Sequence, residues 1–149
     1  PKDVSHAVTA KSVNGVGIVV ERTVDSQPAS HRAGLSVMPG ALIAVDRAAF
    51  AAGASDEQND EWIVVQNPGD RPASVSLTVL AGGTRISDPA LQRLEVPAGQ
   101  RRAVHLTETV KLPATPLVID SSEPIVVERD LYRAKGFGTS MTTGIPLGA

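Results

Sequence analysis

The stretch Glu61-Trp62-Ile63-Val64-Val65-Gln66-Asn67-Pro68-Gly69-Asp70-Arg71-Pro72-Ala73-Ser74-Val75-Ser76-Leu77-Thr78-Val79-Leu80 decides the fold class of this 149-residue chain. In its second half Val75, Leu77 and Val79 alternate with Ser74, Ser76 and Thr78. A strand places such residues on opposite faces, apolar on one and hydroxyl on the other. One core face and one wet face is what a layer of a β-sandwich requires. Residues 61–66 are apolar on both faces, as in a central strand or one covered by a neighbour. Residues 67–72 hold two prolines, a glycine, an asparagine and an aspartate, so the stretch reads as a β-hairpin around a turn.

The same pattern continues in both directions. Further strands are predicted at 85–87, 93–96, 103–108, 117–120 and 125–132, and upstream at 7–12, 17–23 and 42–47. Residues 48–54 are rich in alanine and predict one or two helical turns ended by Gly53. Residues 89–93 predict one more turn of helix. Thirteen glycines and eleven prolines punctuate the chain at short intervals, which suits many short strands. The fold expected is an all-β, immunoglobulin-like antiparallel sandwich.

A second signal is internal. Gly17-Ile18-Val19-Val20-Glu21-Arg22 returns as Pro124-Ile125-Val126-Val127-Glu128-Arg129, with Glu21 and Glu128 107 residues apart. That is about the length of one small sandwich domain. Ser12 precedes the first copy and Ser121-Ser122 the second. Gly34-Leu35-Ser36 follows the first and Gly138-Thr139-Ser140 the second. Both tails then reach a closing Gly-Ala, at Gly40-Ala41 and Gly148-Ala149. Residues 1–41 thus read as the terminal strands of a preceding repeat and residues 42–149 as a complete one. Unpaired edges are a liability, so 1–41 is expected to add strands to the sandwich or to pack beside it.

Composition narrows the function classes. Formal net charge is −2, and the densest basic cluster, Arg101-Arg102 with His105, is too small to track a nucleic-acid backbone. No apolar run reaches the length of a membrane span. Zero cysteines exclude disulfides, thiolate-bound metals and thiol nucleophiles. Aromatic residues are 3% of the chain, so the core must be built from Val, Leu, Ile and Ala.

Trp62 with Val64-Val65-Gln66-Asn67-Pro68, Val96-Pro97-Ala98-Gly99, and Ser122-Glu123-Pro124-Ile125-Val126-Val127-Glu128-Arg129 with Tyr132 resemble a known pattern. It is that of a tandem repeat of extracellular β-sandwiches in exported actinobacterial-type proteins, a family of unassigned biochemical function. The resemblance covers 42–149 and, for the closing motif, 13–41. It implies a sandwich fold and an extracytoplasmic location. Two departures stand out. Asp25 occupies the place of Tyr132 in the first copy, and Phe50-Ala51-Ala52-Gly53 is a diluted form of a more aromatic opening strand.

Each candidate for chemistry has a structural alternative. Strand alternation puts Arg129 with Val127 and Leu131 on the inward face, and Arg22 with Ile18, Val20 and Val24. The outward face then carries Glu21 and Glu128. An inward arginine near a strand end lays its stem on the core and gives its fork to a carboxylate or a carbonyl. The alternative is recognition of an acidic group or a sugar, and the structural reading is preferred because arginines are seldom buried unpaired. Asp56-Glu57-Gln58-Asn59-Asp60-Glu61 offers oxygen ligands for calcium but lacks the alternation and glycine of an EF-hand loop, so it reads as a solvated acidic loop. His6, His31 and His105 lack metal-site spacing, with His105 expected on a polar face. No serine sits in a nucleophile elbow. Gly15, Gly17, Gly82-Gly83 and Gly136-Phe137-Gly138 suit turns more than a phosphate loop. Trp62 reads as the large core residue, its alternative being an exposed platform for sugar rings.

The sequence therefore assigns no catalytic, cofactor-binding or metal residue, and no ligand. The function expected is non-catalytic: a structural or adhesion-type module whose partners are neighbouring repeats. The alternatives are a carbohydrate-binding accessory module for cell-envelope glycan or an appended enzyme, marked by exposure of Trp62, Tyr132 or Phe137, and a strand-exchanging assembly subunit.

Overall fold

A computed structural model describes residues 6–26 and 32–148. Its strands are β1 (Glu21–Ser26), β2 (Gly34–Pro39), β3 (Val45–Phe50), β4 (Asn59–Gln66), β5 (Ala73–Ala81), β6 (Thr84–Ile86), β7 (Leu94–Val96), β8 (Arg101–His105), β9 (Leu117–Arg133), β10 (Thr139–Thr143) and β11 (Ile145–Pro146). A 3₁₀ turn, Pro89–Leu91, and one helical turn, Leu106–Thr109, interrupt them. All strand pairings are antiparallel. The all-β sandwich expected from the alternation is what the chain forms.

Strand β9, 17 residues long, belongs to both layers. Its first part, 117–121, lies between β3 and β5; β11 extends the β3 side, and β6 and β7 extend the β5 side. Its second part, 126–133, lies between β4 and β10, with β8 beyond β4. The change of partners falls around Pro124, which has no N–H for a ladder. The strands predicted at 117–120 and 125–132 are thus one.

The core fills the space between the layers. Val75, Leu77 and Val79 of β5, Ile63 and Val65 of β4, and Leu117, Ile119, Ile125 and Val127 of β9 are all buried. Phe50 is the one aromatic among the buried residues of this cluster. Full burial of such side chains is worth roughly 1.5–3 kcal/mol each, so many aliphatic residues substitute for a few aromatic ones.

Four local readings are corrected. Strands β4 and β5 do not form a hairpin: β4 pairs with β8 and β9, while β5 pairs with β6, β7 and β9. The turn between them crosses from one layer to the other, anchored by Asn67. Its side-chain amide donates to the carbonyls of Arg71 (2.7 Å) and Val96 (3.0 Å), and its side-chain oxygen accepts from the Gly69 N–H (3.0 Å). The alanine-rich 48–50 is strand, because Ala48 and Phe50 alternate into the core. Strand β8 stops at His105 and becomes a helical turn. Residues 7–12 are not a strand; β1 instead pairs with β2, which alternation had not revealed.

The β1–β2 hairpin repeats the β9–β10 hairpin in register. Asp25 faces Leu35 and Glu21 faces Pro39; Tyr132 faces Thr139 and Glu128 faces Thr143. The Gly40 N–H donates to the Val20 carbonyl (2.8 Å), and the Gly144 N–H to the Val127 carbonyl (2.9 Å). Gly40 therefore matches Gly144, four residues before the glycine that the sequence alone suggested. The first hairpin lies against the second. The Gly138 N–H donates to the Ala33 carbonyl (2.9 Å), the Met141 N–H to Ser36 Oγ (3.1 Å), and Met38 packs with Met141 and Tyr132. A β-carbon on Gly34 would stand 2.8 Å from the Thr139 nitrogen, so this crossing needs glycine.

Candidate functional site

Two polar clusters flank the second part of β9, one on each face. On the inner face, Glu61 of β4 is fully buried. Ser55 Oγ donates to its Oε2 (2.7 Å), Thr115 Oγ1 donates to the same oxygen, and Arg129 Nε lies 3.9 Å from its Oε1. Burial raises the Glu61 carboxyl above the ordinary value, against the pull of Thr115, Ser55 and Arg129. The Arg129 guanidinium also sits over the Phe50 ring at 5.0 Å. Arg129 is thus inward and paired with a carboxylate, in agreement with the structural reading. Its partner, Glu61, is not the solvated loop residue that the acidic run 56–61 suggests. Glu61 follows the same alternation as Ile63 and Val65, and that was the available signal.

The outer face carries a network that joins the first hairpin to the sandwich. Trp62 and His105, neighbours across β4 and β8, stack with centroids 4.1 Å apart and planes 7° from parallel. The His105 Nε2 bonds Asp60, and its Nδ1 lies 3.0 Å from Glu108. Trp62 Nε1 donates to Asp60 Oδ2 (3.0 Å). Arg32 places its guanidinium 4.7 Å from the centroids of both Trp62 and Tyr132, and 3.7 Å from Asp60. Trp62 is therefore not in the sandwich core but at the joint, with His105 on its ring and Arg32 over it. Tyr132 is buried, its hydroxyl donating to Asp130 Oδ2 (3.4 Å). Burial first, and the Asp130 charge after it, push the Tyr132 hydroxyl up to about 12.

Arg22 completes the joint, bonding Glu128 and standing 4.0 Å from Asp130. Glu128 is covered by the hairpin and not freely outward. Burial and its neighbour Asp130 outweigh Arg22 and push its carboxyl up to about 8. The two arginines of the repeated motif have different fates. Arg129 is enclosed, whereas Arg22 is half exposed and reaches across to the glutamate of the other copy. The expected inward packing of Arg22 with Ile18 and Val20 is not found, since both those residues are substantially exposed.

Between the hairpin and sheet lies a cleft of about 540 Å³, with Val20, Arg22 and Met38 on one wall and Val64, Gln66 and Glu128 on the other. His6 lines its rim. An apolar cavity of about 350 Å³ adjoins it beside Leu42, Ile43 and Val126.

The remaining candidates separate. Asp56 caps its own turn, accepting from the Gln58 N–H (2.9 Å) and Asn59 Nδ2 (2.8 Å), which holds its carboxyl below the ordinary value. Asp56, Asp60 and Glu61 thus point to three different places. Among the described residues no group of three or more His, Asp and Glu is arranged to hold a metal ion, and no helix is long and apolar enough to cross a membrane. Ser140 lies on β10 opposite Leu131, and Glu21 is exposed opposite Pro39. Phe137 is 70% exposed. His31 lies outside the described residues. Both nitrogens of His105 face carboxylates. The arrangement binds one part of the chain to another.

Fold and joint together define an all-β sandwich with an added hairpin clamped to its outer face. A family described only as a family of unknown function, DUF5719, matches residues 9–120, and the chain belongs to it. No curated protein sequence matches. Among solved structures, the protein titled Thermotoga maritima 1070 is 16% identical, covers 70% of this chain and 96% of its own, and superposes with a TM-score of 0.53. That likeness is one of β fold. The Anabaena sensory rhodopsin transducer is 25% identical over 60% of this chain and 99% of its own, with a TM-score of 0.48.

Proposed function

We propose that this chain is a non-catalytic structural or adhesion-type module of a larger exported or cell-surface protein, built from repeated sandwiches. One observation carries the reading: the side chains with chemical potential are engaged with each other, across the joint or beside it. Arg22 holds Glu128, Arg32 holds Trp62 and Tyr132, and Asp60 holds His105. The matched registers of the β1–β2 and β9–β10 hairpins support two copies of one closing element, and so a repeated unit with neighbouring repeats as partners. The carbohydrate reading loses Trp62 and Tyr132, whose rings are engaged by Arg32, and retains only Phe137 in a glycine-flanked turn.

The reading is tested by fractionating cells that make the intact protein and probing with an antibody to residues 42–148. Recovery from the envelope or the medium supports an extracytoplasmic module; confinement to the cytosol overturns that part of it. A glycan array that stays blank supports the non-carbohydrate role, and saturable binding to one glycan class overturns it.

A further inference from the structure

The repeated hairpins differ in one respect that bears on a partner. In β9, alternate residues present their backbone groups to opposite sides. Val127 faces the β10 side, as its carbonyl's bond from Gly144 shows, whereas Glu128, Asp130 and Tyr132 lie on the side that pairs with β4. In the first copy Val20 accepts from Gly40 in the same way, so Val19, Glu21, Thr23 and Asp25 present their backbone to the other side. Among the described residues nothing pairs with that side, and β1 and β2 form a two-stranded sheet. The apolar residues leading into it are bare as well. Ile18 and Val20 are 51% and 41% exposed, while their counterparts Ile125 and Val127 are 1% and 3% exposed. A two-stranded ribbon with an open edge is marginal by itself and invites another strand.

We propose that the open edge of β1 is the docking site for one antiparallel strand of the β4 type, supplied by a neighbouring sandwich unit. The occupant follows from the internal match: the edge of β9 equivalent to it is filled by Asn59–Gln66, with Asp60 opposite Tyr132 and Val64 opposite Glu128. A second copy of this chain is a poor donor, because its own β4 is already paired on both sides, by β8 and β9; the donor required is a unit whose β4-type strand has no β9 of its own and uses β1 in that place. The incoming strand would carry apolar residues in alternation and place them beside Ile18 and Val20, as Ile63 and Val65 lie beside Val127. Pairing at the edge leaves the Arg22 and Arg32 contacts undisturbed, since those are made from the faces. This rests on the modular reading above and names the partner that it requires.

The test appends a second copy of residues 56–66 to the start of the full chain through a Gly/Ser linker, so that pairing is intramolecular at millimolar effective concentration. Amide hydrogen exchange is then compared with that of the unmodified chain. The expected result is exchange slowed by about tenfold or more at Val19, Glu21, Thr23 and Asp25, and loss of that protection in Thr23→Pro. Thr23 is the right place, because its N–H lies outside the β1–β2 ladder and proline there blocks only the new partner. Unchanged rates at those four amides, or protection that survives Thr23→Pro, would overturn the proposal. Such a failure is distinct from failure of the modular reading, which turns on where the intact protein resides.

Discussion

The Glu61–Arg129 pair sits where charge is most expensive, inside the sandwich and away from water. Glu61 Oε1 and one Arg129 nitrogen are buried with no partner of their own, so the pair holds together without being fully satisfied. Removing one member strands the other. Arg129→Met is expected to destabilise the chain by about 3–5 kcal/mol, whereas the double change Glu61→Leu with Arg129→Met should recover most of that loss. Urea denaturation of the three proteins checks it. Gly53 belongs to the same site: a β-carbon there would stand 2.6 Å from Thr115 Oγ1 and 3.0 Å from Arg129 Nη1. Gly53→Ala is therefore expected to cost about 1–3 kcal/mol by overpacking, a larger effect than at Gly17, where nothing lies within 4 Å and the backbone is not left-handed. Glu128 gives a pH signature. Its folded value of about 8 stands above the ordinary 4.5, so folding favours the protonated form. That contribution is complete below pH 4.5 and is lost as pH rises through about 8. Melting temperature should fall across this window, and Glu128→Gln should flatten the fall.

Elements follow from how these residues alternate, and Asn67 shows where alternation stops being sufficient. Strand β5 was plain in the sequence because serine and threonine mark one face and valine and leucine the other. Strand β4 was equally plain, yet its partner was not. Nothing in 61–80 separates a hairpin from a crossing between layers, since both need two strands and a turn. The deciding contact is from Asn67 to the Val96 carbonyl, 29 residues away, and no local pattern announces it. Asn67→Ala would leave the carbonyls of Arg71 and Val96 without that donor and is expected to cost about 2–3 kcal/mol, read by thermal or chemical denaturation. The candidate site was legible in part for the same reason. Arg129 was readable from its strand neighbours, and Glu128 from the repeat. Arg32, which organises the outer face, lies outside any strand and carries no periodic signal. Strand β10 escaped notice because Thr139–Thr143 holds a single apolar residue. It is specified by pairing with β9 and by Met141 beneath the hairpin.

At the scale of the molecule, β9 makes the two sheets one cooperative body, while the first hairpin is attached by a short set of contacts. The sandwich is crossed by β9 from end to end, so separating its layers requires unpairing the strand that both share. The hairpin is held by Arg22, Arg32, Met38 and the hydrogen bonds that the Ala33 carbonyl and Ser36 Oγ accept from β10 and the turn before it. Regions with few buried apolar contacts open below the global free energy of unfolding. Two tiers of exchange are thus expected: amides of β4, β5 and β9 released only by global unfolding, and the β1–β2 amides released earlier. Arg32→Ala separates them most cleanly, because it removes the guanidinium above Trp62 and Tyr132 while touching nothing between the sheets. Its Trp62 emission should shift to longer wavelength as water reaches the ring. Exchange in β1–β2 should quicken several-fold, and the melting temperature of the sandwich should move by no more than about 2 °C. A large drop in that temperature would mean that hairpin and sandwich fold as one unit, and that the joint is part of the core and not an attachment to it.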